Sequence, residues 1–244
     1  MSKDLFSSNS RQYAAFRPSY PQALYDFTVK QVRNHHAAWD CGCGNGQVAK
    51  DLAGRFDKVY ATDHSAKQIE NAVRKENIIY SVAPAEKTSF ADHQFDLVTV
   101  GQAIHWFNIP AFIEEVRRVT KPNGVLAVWG YSLLSVNEEI DPIVNHFYTS
   151  VIGPYWDKER RLVDERYRTI DFPFARIDVP PFEFSFEWTA DELQGYISTW
   201  SSVQKYIMQN QSDPVEHLMA DVRRLWGDGR KKVSFPLFVR MGKV

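Results

Sequence analysis

One short stretch of this 244-residue chain, Asp40-Cys41-Gly42-Cys43-Gly44-Asn45-Gly46, brings together an acid, three alternating glycines and two thiols. Glycines at that spacing let a backbone turn sharply and let a bound molecule approach main-chain atoms. The stretch sits between an apolar run, Ala37-Ala38-Trp39, and a helical pattern from Gln47 to Phe56. In an open α/β sheet, the place where the carboxyl end of a parallel strand meets a helix amino terminus is where nucleotide-like ligands bind. The dinucleotide fingerprint G-x-G-x-x-G asks for a small residue at position 47, where Gln47 stands. A pyrophosphate seeks helix amides with no anion nearby, whereas Asp40 puts negative charge at the start of the loop and suits a cationic ligand bearing an ammonium and a sulfonium. Asp63 lies 17 residues past Gly46, at the end of the next apolar run. An acid there is placed to accept hydrogen bonds from two ribose hydroxyls.

The elements that must hold these residues read as strand and helix in alternation. Strands are predicted at 37–39, 59–61, 78–80, 95–100 and 125–129, and helices at 22–32, 47–56, 65–75 and 110–120. Alternation of this kind means βαβ units, right-handed crossovers and a parallel sheet. Asp63-His64-Ser65 and Asn108 offer helix N-caps, and Lys121-Pro122-Asn123-Gly124 stops a helix and turns the chain into the next strand. Beyond Trp129 the pattern loosens, with helices predicted at 137–150, 157–168, 190–200 and 214–226 and strands at 182–188 and 233–240. The last two strands are expected to form an antiparallel hairpin closing the sheet edge. No internal repeat, low-complexity tract or long linker interrupts the chain.

Composition narrows the function. With 44% hydrophobic residues and 24% charged ones the chain is globular. Lys plus Arg (29) and Asp plus Glu (30) leave a net charge of −1, which gives no pull toward nucleic acid or anionic membranes. No apolar run reaches the roughly 20 residues of a membrane helix. Cys41 and Cys43 are the only cysteines, too closely spaced for a scaffold and without further zinc ligands beside them, so no metal is expected. They are read as small loop residues in a soluble, cytoplasmic protein.

The motif set resembles the class I S-adenosylmethionine-dependent methyltransferases, and within them the small-molecule methyltransferases of the type 11 family related to trans-aconitate methyltransferase. The pieces that carry the likeness are Tyr13-Ala14-Ala15-Phe16-Arg17-Pro18-Ser19-Tyr20-Pro21, the 40–46 loop, Asp63, Ala85-Glu86, 95–100 with Gly101-Gln102-Ala103-Ile104-His105-Trp106, and Pro122 to Ala127. The resemblance implies a doubly wound, seven-stranded, mostly parallel sheet ordered 3-2-1-4-5-7-6, strand 7 antiparallel, with helices on both faces. It implies one domain over 1–244: an arm or lid at 1–20, a cofactor-binding core at 21–130, and an acceptor-site cap with the closing hairpin at 131–244. S-adenosylmethionine would lie across the tips of strands 1 to 4. Asp40 and Gly42 would line its methionine end and Gly44 its sugar. Asp63 would hold the ribose, with His64 or Ser65 beside the adenine, Ala85 and Glu86 at the adenine edge, and the backbone of Gln102 and Ala103 facing the amino group.

On the acceptor side, His105 is read as a general base or as a donor orienting an anionic acceptor, against a packing role beside Trp106. Tyr13, Arg17 and Tyr20 form a candidate lid able to hold a carboxylate. Trp106, Trp129, Tyr131, Trp200 and Tyr206 are candidate walls of an acceptor pocket, though aromatics are core material first. The expected activity is methyl transfer to a small molecule, on a carboxylate or hydroxyl oxygen, by a monomer without nucleic-acid or membrane partners. A methyltransferase acting on protein or nucleic acid, and a catalytically silent cofactor-binding protein, are the rival readings.

Overall fold

A computed structural model describes residues 18–244. The chain parts into two compact units. The larger comprises Ser19–Tyr131, Arg161–Phe182 and Leu237–Val244, and the described part of the other comprises Pro18, Ser132–Arg160 and Glu183–Pro236.

The larger unit holds a seven-stranded sheet: β1 (Ala37–Cys41), β2 (Lys58–Asp63), β3 (Ile78–Val82), β4 (Phe95–Gly101), β5 (Thr120–Tyr131), β6 (Ala175–Arg176) and β9 (Leu237–Lys243). Their order is β3-β2-β1-β4-β5-β9-β6, so the expected order holds with β9 as the antiparallel strand between β5 and β6. The β1, β2, β3, β4 and β5 pairings are parallel, and the winding reverses between β1 and β4. That reversal opens a crevice at the carboxyl ends of these two strands.

Four helices precede or link these strands: α1 (Gln22–Val29), α2 (Gln47–Leu52), α3 (Ala66–Glu70) and α4 (Ile109–Val119). In α4, Asn108 caps Ala111 N–H and Pro110 sits in the first turn, while Phe112, Ile113, Val116 and Val119 form the stripe that buries against the sheet. All five residues of β1 are buried, as expected of a strand covered on both faces. Helix α3 is shorter than the predicted 65–75, because the Asn71 amide donates to the Lys67 carbonyl and the backbone leaves the helical region there. Helix α6 (Arg160–Asp164) falls short of the predicted 157–168 because Arg166 and Tyr167 both turn left-handed, each with φ of 56°.

The smaller unit carries α5 (Asp141–His146), which runs on as a π-helical turn over Phe147–Val151, then α7 (Ala190–Ser198), α8 (Ser201–Asn210) and α9 (Pro214–Trp226). The predicted strand at 233–240 is in fact two. Pro236, which has no N–H to give a ladder, separates β8 (Lys231–Ser234) from β9. β8 pairs antiparallel with β7 (Ser185–Trp188) in its own two-stranded sheet, so the expected hairpin does not close the main sheet edge. Helix α8 was not predicted; it ends on Gln211 in the left-handed conformation, without the glycine that usually signals such a stop.

At the amino ends of the strands Asp96 is buried, accepts from the N–H groups of His36 and Ala37 at 3.1 and 3.0 Å, and pairs with Lys121 at 2.9 Å. Asp96→Ala leaves two N–H groups and a cation without their partner. It is expected to lower stability by about 2–4 kcal/mol, read as a lower urea midpoint at unchanged slope.

Candidate active site

The glycine loop leaves β1 at Cys41 and enters α2 at Gln47. Gly42 and Gly46 have φ of 68° and 79°. A Cβ on Gly42 would lie 2.6 Å from the Ala103 Cβ, so this glycine lets the loop press against the turn that follows β4. A Cβ on Gly46 would collide with the phenolic oxygen of Tyr80, which donates to the Val73 carbonyl at 2.7 Å. The third glycine therefore serves packing against β3. Above Gly44 there is room: a Cβ there would meet only the Gln68 Oε1, at 4.0 Å. That open space over main-chain atoms is the cradle a ligand needs.

Asp40 stands where the sequence put it, but its carboxylate is committed to the protein. One oxygen accepts from Ala49 N–H at 3.0 Å, in the first turns of α2, and the other from the Thr99 hydroxyl of β4 at 3.1 Å. It is 1% exposed, and burial pushes its pKa up to about 7, with the Asp63 charge a smaller push in the same direction. Cys41 and Cys43 are free and buried, and burial raises both thiols well above their ordinary range.

Asp63, at the tip of β2, takes the Gly44 N–H on one oxygen and the Ser65 N–H on the other, both at 2.9 Å. A carboxylate has about four acceptor positions, so this bracing leaves Asp63 able to accept from further hydroxyls. His64 lies 3.5 Å from Asp63, and Ser65 caps α3 through Gln68 N–H. Ala85 is buried; Glu86 accepts the Asn108 N–H at 2.7 Å and so holds the start of α4 beside the third-strand loop. Gln102 adopts a left-handed φ of 55° and bridges to β5, donating its N–H to the Trp129 carbonyl at 2.8 Å and accepting the Tyr131 N–H at 2.9 Å. Strain of that kind at a crevice lip gathers at functional sites.

His105 lies in a short 3₁₀ turn, Ile104–Trp106, two residues beyond Ala103. It is buried, and its Nδ1 is 2.9 Å from the Tyr167 hydroxyl. Trp106 packs on the His105 ring at 4.8 Å while remaining 45% exposed, which suits a pocket wall. Trp129 and Tyr131, also expected as walls, are buried, with Tyr20 packed against both. Trp129 is core: it is wholly inaccessible and meets Tyr20 and Tyr25 edge-on. Trp200 belongs to the smaller unit, where it packs with Tyr148, Trp156 and Tyr196. In that unit Tyr206 packs on Tyr155. Tyr13 and Arg17 lie outside the described residues. Thr99, Tyr80 and Tyr167 were not singled out from the sequence; each acts on a partner distant along the chain, and no local spacing announces them.

The family model described as a methyltransferase domain matches residues 39–128. Over 98% of its length the chain is 32% identical to a protein of Dictyostelium discoideum named as a methyltransferase, of which it covers 95%. It is 28% identical to the CRG1 protein of Saccharomyces cerevisiae, named as S-adenosylmethionine-dependent, over 84% of this chain and 83% of that one. A solved structure from Anaeromyxobacter dehalogenans, described as a type II methyltransferase, superposes with a TM-score of 0.86 at 36% identity, covering 93% of this chain and 98% of its own.

Two outcomes follow from the loop. Because the folded pKa of Asp40 lies above its unfolded value, the folded state holds its proton. This carboxyl's contribution is complete below about pH 4 and is lost as pH rises through about 7. Asp40→Asn, which keeps an acceptor for Ala49 N–H, should remove that decline, on the order of 4 kcal/mol at most, in denaturation curves taken between pH 4 and 8. Gly46→Ala should destabilise by roughly 2 kcal/mol or more, and adding Tyr80→Ala should relieve the collision while leaving the left-handed strain, giving a favourable coupling in a double-mutant cycle.

Proposed function

Since the chain belongs to the S-adenosylmethionine-dependent class I methyltransferases, we propose that it methylates a small-molecule acceptor on oxygen, at a carboxylate or a hydroxyl. S-adenosylmethionine is its cofactor, and the residues present fit that group. The space over Gly44 admits a ligand against the main chain, and Asp63 keeps acceptor positions for a ribose diol. In this reading Asp63 holds the ribose, with His64 or Ser65 beside the adenine and Ala85 and Glu86 at its edge. The loop at Asp40, Gly42 and Gly44 and the backbone at Gln102 and Ala103 border the methionine end.

When bound, the cofactor supplies a methyl group already activated on a positively charged sulfur. The protein is left with alignment of the acceptor and exclusion of water. The Asp63 carboxylate favours a cation in the crevice and opposes a diphosphate, and a cation there would also favour ionisation of the buried Asp40.

The observation that carries the acceptor assignment is His105. It is a buried imidazole on the same turn as Ala103, which touches the glycine loop, and exposed Trp106 is beside it. That pairs a polar group with an aromatic wall close to the cofactor side. Tyr13 and Arg17 are proposed to contact the acceptor, with Arg17 pairing to an acidic one, while Tyr20 is buried against Trp129 and Tyr131. The near-neutral net charge supports a small substrate over nucleic acid. The free, buried cysteines support a reducing, cytoplasmic setting, and no helix of the described residues is long and apolar enough to cross a membrane. A monomer is proposed.

The test is label transfer from S-adenosylmethionine tritiated in the methyl group into a fractionated cell extract. Label should appear in low-mass compounds, released as volatile methanol by alkali for an ester and alkali-stable for an ether. Label precipitating with protein or nucleic acid would overturn the reading. In calorimetry with S-adenosylhomocysteine, Asp63→Asn should weaken binding about 10- to 100-fold.

A further inference from the structure

The open space over Gly44 is bordered by a polar side chain. A Cβ built on Gly44 meets, among the described residues, only the Gln68 Oε1, at 4.0 Å. Gln68 lies in the middle of α3 and is 7% exposed. It and Ile69 are the two residues that this short helix turns inward. Ile69 fills its place with hydrocarbon, whereas Gln68 brings in a neutral amide. Burying an amide costs free energy unless it finds hydrogen bonds, so glutamine is a poor choice for filling space alone.

The backbone fixes where that amide stands. Cys43 N–H donates to the Thr62 carbonyl and Gly44 N–H to the Asp63 carboxylate, both at 2.9 Å, which ties the glycine loop to the tip of β2. Ser65 N–H donates to the other Asp63 oxygen at 2.9 Å, and the Ser65 Oγ accepts the Gln68 N–H at 3.4 Å, so the start of α3 hangs from the same carboxylate. Past the helix, Val73 N–H donates to the Asn45 carbonyl at 3.0 Å and closes the segment back onto the loop. Gly44, Asp63 and Gln68 are thus three corners of one small frame.

The chemistry of those corners is complementary to a hydroxylated sugar. A carboxylate only accepts, so each hydroxyl that Asp63 binds points its proton at it and keeps its own lone pairs for a donor. An amide both donates and accepts, and it adds no charge beside Asp63. We propose that Gln68 is a further binding and specificity-determining residue of the crevice. Its amide hydrogen-bonds a hydroxyl of the nucleoside sugar whose diol Asp63 holds, so the site takes ribonucleosides and turns away their deoxy forms. This rests on the reading of the crevice as the cofactor site. A site built to hydrogen-bond a hydroxyl rejects the analogue lacking it, because its own buried polar groups are then left unpaired.

Calorimetry on the full chain with S-adenosylhomocysteine and its 2′-deoxy and 3′-deoxy analogues separates this role from packing. Gln68→Leu should weaken binding of S-adenosylhomocysteine about 5- to 10-fold, and so should Gln68→Met, which keeps the length of the side chain. In either variant the penalty for removing one of the two hydroxyls should shrink about fivefold relative to wild type, while the penalty for the other stays within about twofold. Losses of equal size for all three ligands would show that Gln68 only packs and would overturn the proposal, as would unchanged binding. Failure of S-adenosylhomocysteine to bind the wild type would sink the cofactor assignment and this inference with it. Binding to the wild type with both hydroxyl penalties unaltered in the variants would sink the role of Gln68 alone.

Discussion

A single buried carboxylate ties this site together. Asp40 closes β1 and joins two structures that share no sequence neighbourhood, the first turns of α2 through Ala49 N–H and the middle of β4 through Thr99. Removing a charge from water without an opposite charge is costly, and here the cost appears as a carboxyl that titrates near pH 7. The protein tolerates that because each oxygen has a donor and because the loop above it must keep one shape. If Asp40 shifted, Gly42 would lose its seat against Ala103, and with it the spacing between the glycine loop and the turn that carries Gln102 and His105.

The two acids at the strand tips thus divide the work. Asp40 faces inward and organises. Asp63 is braced by two loop N–H groups yet keeps acceptor capacity, which is the property a diol-binding residue needs. Their charges also act together: the Asp63 charge adds to the upward push on Asp40, so a cation in the crevice relieves both. A site built this way selects its ligand by sign before any specific contact is made.

Much of this was legible in the sequence, for a physical reason. The proposed cofactor side consists of strand tips and the turns directly after them, so its residues are close in sequence to the glycine, capping and periodicity signals that mark those turns. Asp63 could be placed on that basis, whereas Ala85, Gln102 and the sheet order came from the family likeness. What failed depended on contacts between distant segments. Gly46 was visible only as the last glycine of the loop, and its constraint comes from Tyr80 on β3. Trp129 could be read as a pocket wall or as core, and only the cover that Tyr20 and Tyr25 give its strand shows that it is core. Pro236 was present as a signal, yet the apolar run around it was read as one strand where the ladder needed two.

The acceptor side is harder for the same reason turned around. Methyl transfer asks little of side chains, so no strict motif has to be kept beyond the cofactor, and the groups that choose the acceptor are free to come from anywhere in the chain. His105 was visible because it follows β4 directly. Tyr167 was not, because its position depends on a left-handed turn formed by two residues that bear side chains and on an arginine 73 residues further along. Neither propensity nor spacing encodes such a contact. It is written only in the packing of β9 against the segment after α6, where Arg240 donates to the carbonyls of Tyr167 and Ile170. The tyrosine that His105 meets is therefore secured by the last strand of the sheet, and a change in that strand would reach His105 through backbone geometry.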